Sequence, residues 1–392
     1  MKLNVGVFFG GESVEHEVSI ITGHQAIAAL DKEKYDVIPI YVAKDRRLFT
    51  SPLLIGMRNY RNLDHLITQC TQITLAQEDN QVVIKPVKTT LFGKKVLGTL
   101  DVAILAMHGT NGEDGTIQGY LEMLKLPYAG CDVISAAVGQ DKVLQKHILH
   151  DNGFPLTNWF WVYGHEMDEH PDEILRKAHK LIYPVIVKPA CTGSSVGISV
   201  AHNDEEYLEA FEEARQHDFK VITEKVVKPL REINASVLGD CFSARVSVLE
   251  EVGSDKDLLD FKDKYQSNTK GASEGMASTR RIVPAPLDEA TTEYIQKLAL
   301  DAFRILGASG VCRIDFLMDA ETKTVFMNEI NTIPGSLAFY LWKESGLSFT
   351  ELMDELVRIA LDRKRRRDRM TFSYDTNLLE TYNDGGAKGM KK

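Results

Sequence analysis

The chain has 392 residues, 44% hydrophobic and 26% charged, with a formal net charge of −10. That length suits roughly two to three domains with sizeable cores, and the acidic balance argues against nucleic acid or an anionic membrane as partner. Five scattered cysteines (Cys70, Cys131, Cys191, Cys241, Cys312) without a CxxC pair suit a reducing cytoplasm and not a zinc site, and no stretch stays apolar long enough for a signal peptide or a membrane span.

In chain order, LNVGVFF (3–9), the turn GGESVEHE and an apolar-periodic stretch to Leu30 predict strand, glycine turn and helix. YDVIPIYV (35–42) and DVAILAMHG (101–109) predict two more strands, so this region reads as an α/β unit with a mostly parallel sheet. Residues 43–100 are less regular and predict a peripheral insertion, followed by helices near 115–125 and 135–150. PVIVKPA (184–190), GISVA (197–201) and KVITEKVV (220–227) predict strands flanking one helix, DEEYLEAFEEARQ, a small α+β lobe. After Arg231, strands INASVLG and ARVSVLEEV lead into DKYQSNTKGASEGMASTRR, a polar stretch of the length expected of a lid or a disordered loop. The basic run RKRRRDR (363–369) ends a helix, where it complements the dipole rather than binding nucleic acid, and GGAKGMKK follows as a tail.

Two stretches carry chemistry. VIVKPACTGSSVGISV sets Lys188 at the end of a strand before a small-residue turn, Thr192 to Gly197. Backbone N–H groups and hydroxyls there suit phosphate oxygens, with Lys188 adding a point charge. A plain Gly/Ser hairpin is the simpler alternative. VCRIDFLMD alternates so that Arg313 and Asp315 share a face, TVFMNEIN does the same for Glu329 and Asn331, and ETKT between them suits a hairpin turn. Three oxygen donors suit Mg²⁺ with positions left for phosphate, and the arginine suits phosphate or a developing oxyanion. Taken alone, the same pattern also describes a solvated hairpin with a surface ion pair.

Other motifs fail on context. A GxSxG match at Ser195 needs a following helix, and ISVA reads as a strand. HEMDEH (165–170) spaces its histidines off a common helix face and reads as a solvated acidic loop. Walker A and GxGxxG sequences are absent.

The phosphate loop, the oxygen-donor hairpin and a carboxylate after a further strand resemble the ATP-grasp fold. More narrowly, FFGGESVEHEVS (8–19), HGTNGEDGTIQG (108–119), LPYAGCDVISAAVGQDK (126–142), VIVKPACTGSSVG (185–197), DFKDKY (260–265), RIDF (313–316) and NEINTIPG (328–335) resemble the D-alanine–D-alanine ligase family over nearly the whole chain. The resemblance implies an N-terminal parallel-sheet α/β domain (1–141), a central ATP-grasp lobe (142–226) and a C-terminal lobe with the metal site (227–392). The two α+β lobes would enclose ATP.

Position by position, it implies that Glu15 holds the ammonium of the first D-amino acid, with His108 near the same substrate. Lys142 and Lys188 would contact ATP phosphates, beside Ser194 and Ser195 of the turn, and Lys264 the γ-phosphate. Glu224 and the backbone of Lys225 and Val227 would meet adenine, and Glu232 the ribose. Asp315, Glu329 and Asn331 would carry Mg²⁺ or Mn²⁺. Arg313 and the Gly335 N–H would stabilise an oxyanion, while Ser194, Tyr265 and Glu15 would close the long loop over the site. The implied reaction joins two D-alanine molecules through an acyl phosphate for peptidoglycan precursors, in a cytoplasmic homodimer. Two departures fall on the acceptor side. Tyr340, before Leu341, stands where family members often have a serine that holds the second substrate's carboxylate, and the loop after Tyr265 is longer than usual. Relatives that use D-lactate tend to lack the loop tyrosine, so Tyr265 favours an amine acceptor: D-alanine first, then D-serine or another small D-amino acid.

Overall fold

The computed structural model describes residues 2–89, 95–193, 196–253 and 280–376. The first sheet is built around LNVGVFFG, β1 (Leu3–Gly10), which is apolar on both faces and buried on both, as an inner parallel strand must be. It pairs in parallel with β2 (Tyr35–Val42) and β7 (Val102–Leu105), and β7 with β8 (Tyr128–Ala129). Residues 43–100 are not a peripheral insertion. They add β3 (Leu48–Thr50), β4 (Thr71–Glu78), β5 (Gln81–Pro86) and β6 (Gly98–Leu100) as an antiparallel wing, giving the order β6-β5-β4-β3-β2-β1-β7-β8.

Helices α1 (His16–Ala29), α2 (Leu63–Thr68) and α3 (Thr116–Met123) belong to the same region. The helix expected near 135–150 is two helices, α4 (Val133–Gln140) and α5 (Lys142–Asp151), because the Asp141 carboxylate leaves the first and caps Val143 and Leu144 N–H of the second.

The second sheet, β11-β10-β12-β9, is antiparallel and comprises β9 (Trp159–Tyr163), β10 (Val185–Pro189), β11 (Ser199–Ala201) and β12 (Lys220–Lys225). The expected helix is α8 (Asp204–Ala214), and α7 (Pro171–Leu181) packs beside it in one core. HEMDEH is not a loop: α6 (Glu166–Glu169) is a single helical turn, stabilised by burial of Met167 and by Arg215 on Asp168 at 2.8 Å.

The third sheet, β15-β14-β13-β16-β17, contains β13 (Leu230–Gly239), β14 (Ala244–Gly253), β15 (Arg280–Ile282), β16 (Gly310–Asp319) and β17 (Val325–Asn331). Helices α9 (Glu289–Ile305), α10 (Phe339–Glu344) and α11 (Phe349–Arg367) complete the order. Helix α11 returns to the first sheet, where Leu352, Met353, Leu356 and Val357 share a core with Val5, Phe8 and Ile104. Its basic end does more than complement the dipole. Arg363 donates to the carbonyls of Gly130 and Tyr128 at 2.7 and 2.8 Å and lies over the Tyr128 ring, and Arg367 pairs with Glu122. The tail GGAKGMKK and residues 263–279 of the polar stretch lie outside the described residues.

Candidate active site

Strands β16 and β17 form the expected hairpin, with Arg313 opposite Asn331 and Asp315 opposite Glu329. Arg313 grips Asp315 through Nε and Nη2, both at 2.7 Å, and Asn331 Nδ2 donates to the same carboxylate at 3.0 Å. Burial pushes the Asp315 carboxyl up to about 6 against the pull of Arg313. Burial also raises Glu329, but Lys142, Lys188 and Arg313 outweigh it and hold that carboxyl below its usual range. Among the described residues no three His, Cys, Asp or Glu side chains gather as a metal cage. Two carboxylates and an amide on facing strands are hard-oxygen donors, and they fit a Mg²⁺ that shares its coordination with phosphate.

The lysines converge on this hairpin from β10, which carries Lys188, and from α5, which carries Lys142 and Lys146. Glu224 on β12 is 1% exposed and receives Lys188 at 3.0 Å, Lys146 at 2.9 Å and the Thr157 hydroxyl at 2.8 Å. The two cations keep Glu224 ionised despite its burial. Lys142 links two parts of the site, donating to Thr192 O of the phosphate loop at 3.0 Å and pairing with Glu329 at 3.6 Å. Lys146 escaped the sequence reading. Its signal is its place four residues after Lys142 on α5, which puts both on one helix face.

Glu15 lies where three loops meet. A Cβ on Gly109 or on Gly193 would approach Glu15 Oε2 to 2.7 Å, so a side chain at either position would displace the carboxylate. The turn at Gly193 is followed by β11, a strand, which agrees with rejecting a nucleophile elbow. Ser194, Ser195, Lys264 and Tyr265 lie outside the described residues. Lys225 ends β12 and Val227 is buried in the short link to β13, on which Glu232 is half-buried. Leu341 is fully buried.

His108 has both ring nitrogens engaged within the protein. Nδ1 lies 2.8 Å from Ile333 O, a pure acceptor, so it carries the proton. Nε2 then accepts from the Thr22 hydroxyl at 2.8 Å, whose oxygen in turn accepts Ser336 N–H at 3.1 Å. Glu113 accepts Ile333 N–H at 2.9 Å and Gly109 N–H at 2.9 Å. These bonds latch the segment around Gly335 to the first sheet. They hold Ser336, Leu337 and Ala338 at φ of 54°, 52° and 51°, three successive left-handed residues with side chains, a conformation that costs roughly 1–2 kcal/mol each. A Cβ on Gly335 would meet nothing within 4 Å, so the backbone there faces open space.

Burial pushes the His108 imidazole down to about 4 from 6.5. The unfolded chain therefore takes up the proton first, and stability from the neutral ring is complete above pH 6.5 and lost as pH falls toward 4. The expected total is ~3 kcal/mol, at about 1.4 kcal/mol per pH unit. Glu113, raised by its own burial and then by the Glu15 charge, works in the opposite sense. The difference between wild type and His108→Gln isolates the histidine: in urea unfolding, stability should fall more steeply from pH 7 to 5 in the wild type. Parallel slopes would mean that the imidazole is solvated.

Comparison with known proteins agrees with this architecture. Residues 4–131 match the family model described as D-ala D-ala ligase N-terminus, and residues 148–358 match D-ala D-ala ligase C-terminus. The D-alanine–D-alanine ligase of Thermosipho melanesiensis is 38% identical over 380 residues, covering 96% of this chain and 98% of its own. The solved structure of the D-alanine-D-alanine ligase from Coxiella burnetii superposes with a TM-score of 0.77 at 29% identity, covering 94% of this chain and 96% of that one. The VanG D-Ala:D-Ser ligase of Enterococcus faecalis superposes with a TM-score of 0.76 at 25% identity, over 92% and 100%. With both halves matched in order, the chain belongs to the D-alanine–D-alanine ligase family.

Proposed function

We propose that this protein joins two D-alanine molecules at the expense of ATP, through an acyl phosphate, to supply D-alanyl-D-alanine for peptidoglycan precursors. The observation that carries the reading is Lys142, which reaches both the phosphate loop and the Asp315–Glu329 hairpin. One ATP phosphate chain between them would meet lysine on one side and the oxygen-donor hairpin on the other.

In this reading Lys142 and Lys188 hold phosphates, with Ser194, Ser195 and Lys264 from the loops. Lys225 and Val227, through backbone, meet adenine, and Glu232 meets ribose, whereas the Glu224 carboxylate, buried and taken up by Lys188, Lys146 and Thr157, holds the lysines rather than adenine. Asp315, Glu329 and Asn331 would hold Mg²⁺ or Mn²⁺, which when bound neutralises charge on the phosphate oxygens. Glu15 receives the donor ammonium. A donor carboxylate oxygen attacks the γ-phosphorus and ADP leaves. The acceptor amine then attacks the acyl carbon, Arg313 and the Gly335 N–H take the oxyanion, and phosphate departs as the amine loses its proton. Because an acyl phosphate hydrolyses readily, water must be excluded, the task of Tyr265 with Ser194 and Glu15. His108, with both nitrogens engaged, contributes by fixing the Gly335 loop. Tyr340 and Leu341 belong to the acceptor side.

Domains at 1–141, 142–226 and 227–392, a homodimer and a cytoplasmic location complete the proposal. No helix among the described residues is long and apolar enough to cross a membrane. A second reading, with D-serine or another small D-amino acid as acceptor, draws on Tyr340, whose hydroxyl is bonded to Glu250. Phosphate release from ATP and Mg²⁺ tests both, with D-alanine, D-serine, D-lactate or L-alanine and mass spectrometry of the product. D-alanyl-D-alanine is expected, with nothing from L-alanine. Turnover that requires a second acceptor would favour the alternative, and no turnover with any D-amino acid would refute both.

A further inference from the structure

The two oxygens of Glu224 are held by different groups. Its register partner on β10 is Ile186, two residues before Lys188, so Glu224 and Lys188 fall on one face of the second sheet. Helix α5 covers that face, with Val143 and Ile222 in one core, and brings Lys146 onto it. Lys188 takes Oε1 at 3.0 Å, while Lys146 and the Thr157 hydroxyl take Oε2 at 2.9 and 2.8 Å. Lys188 also donates to Asn328 Oδ1 at 3.4 Å, on the strand that carries Glu329. Two of the three donors of its ammonium are thus used among the described residues. Lys146 has no ion-pair partner but Glu224 among the described residues.

We propose that Lys146 is a positioning residue whose charge cancels that of Glu224, which leaves the charge of Lys188 free to act on an ATP phosphate. The inference rests on the ATP reading above. Two ammonium groups against one carboxylate leave one positive charge in excess. The nearby hairpin carboxylates have cations of their own, since Arg313 is forked onto Asp315 and Lys142 lies on Glu329. The excess therefore belongs to the Glu224 group. Without Lys146, Lys188 and Glu224 would be a neutral pair. Glu224 is 1% exposed, so water screens it poorly and it would oppose a phosphate nearly as much as Lys188 attracts one. The geometry works in the same direction. Lys146 and Thr157 fix Oε2, so Oε1 stays aimed at Lys188 and keeps its ammonium beside Asn328 before the nucleotide arrives. Lys146, also 1% exposed, offers no surface to a ligand and acts through Glu224.

The test measures ATP binding by calorimetry, with Mg²⁺ and without a D-amino acid, beside KM and kcat for phosphate release with D-alanine. Lys146→Met should weaken ATP binding and raise KM for ATP by ~10-fold. Its kcat at saturating ATP and its KM for D-alanine should stay within about threefold of wild type, the pattern of a loss in uniform binding. Lys146→Gln, which keeps an N–H for Glu224 and loses the charge, should match it. Adding Glu224→Gln to Lys146→Met restores the excess charge at Lys188, and ATP affinity should return to within about threefold of wild type. A lysine that only fills the interior would give no such recovery, because the second substitution would add to the damage. Unchanged ATP affinity in both Lys146 variants, or a double variant that binds ATP no tighter than Lys146→Met, would overturn the assignment. Wild type that binds ATP and makes no D-alanyl-D-alanine would sink the D-alanine reading alone. Wild type that binds no ATP would sink the inference as well.

Discussion

Arg313→Met should lower kcat for phosphate release by ~10²–10³-fold, the usual consequence of removing a preorganised oxyanion donor. Two effects add in that loss. In the proposed mechanism the tetrahedral intermediate would lose a cation whose position is fixed by two 2.7 Å bonds to Asp315. Asp315, already raised by burial, loses the charge that opposes protonation, so its carboxyl rises further and its value as a metal donor falls. Titrating Mg²⁺ separates the two. Activity recovered by excess Mg²⁺ would assign Arg313 to holding Asp315, whereas a deficit that persists at saturating metal and ATP places it on the reacting group. Arg313→Lys should recover only a fraction, since an ammonium cannot reproduce the two-bond fork. A kcat within threefold of wild type for Arg313→Met would refute both roles.

The hairpin that carries this arginine was legible because strand alternation is a local signal and its short turn joins neighbouring strands. Period alone places Arg313 with Asp315 and Glu329 with Asn331 on shared faces, and the register agrees. The wing from β3 to β6 was not. Strands as short as LFT and GTL carry too few residues to establish a period, and they form because β2 and β5 offer open edges. The break at Asp141 was readable in principle, since aspartate before a helical run is a capping signal. Nothing in Ser336-Leu337-Ala338 announces three left-handed residues. That conformation is imposed by the latch through Thr22, His108 and Ile333, which joins residues far apart in the chain. Lys146 was missed for a related reason. A single lysine on a helix is ordinarily solvated, and only the fold brings it to Glu224.

That buried triad supports the second large expectation: Glu224→Ala should destabilise the protein by ~3–5 kcal/mol, as removal of one partner from a buried ion pair does. Lys146 and Glu224 are each 1% exposed, and Lys188 is 6% exposed, so water cannot take over the lost contacts. Two ammonium groups share one carboxylate, and burial already pushes Lys146 below its usual range. Without Glu224, that shift deepens and the folded protein binds its proton less readily than the unfolded chain. Stability of Glu224→Ala should therefore rise with pH between 7 and 9 relative to wild type, as Lys146 becomes neutral in the fold. Removing the stranded cation as well should repair part of the damage. Glu224→Ala with Lys146→Met is expected to be more stable than the sum of the single changes by 1 kcal/mol or more, within the range of coupling between residues in contact. Urea unfolding of the four proteins at pH 7 and 9 measures both effects. Additive penalties with no pH dependence would mean that Lys146 reaches solvent when Glu224 is absent, and that the lysine pair does not depend on this carboxylate to stay in the interior.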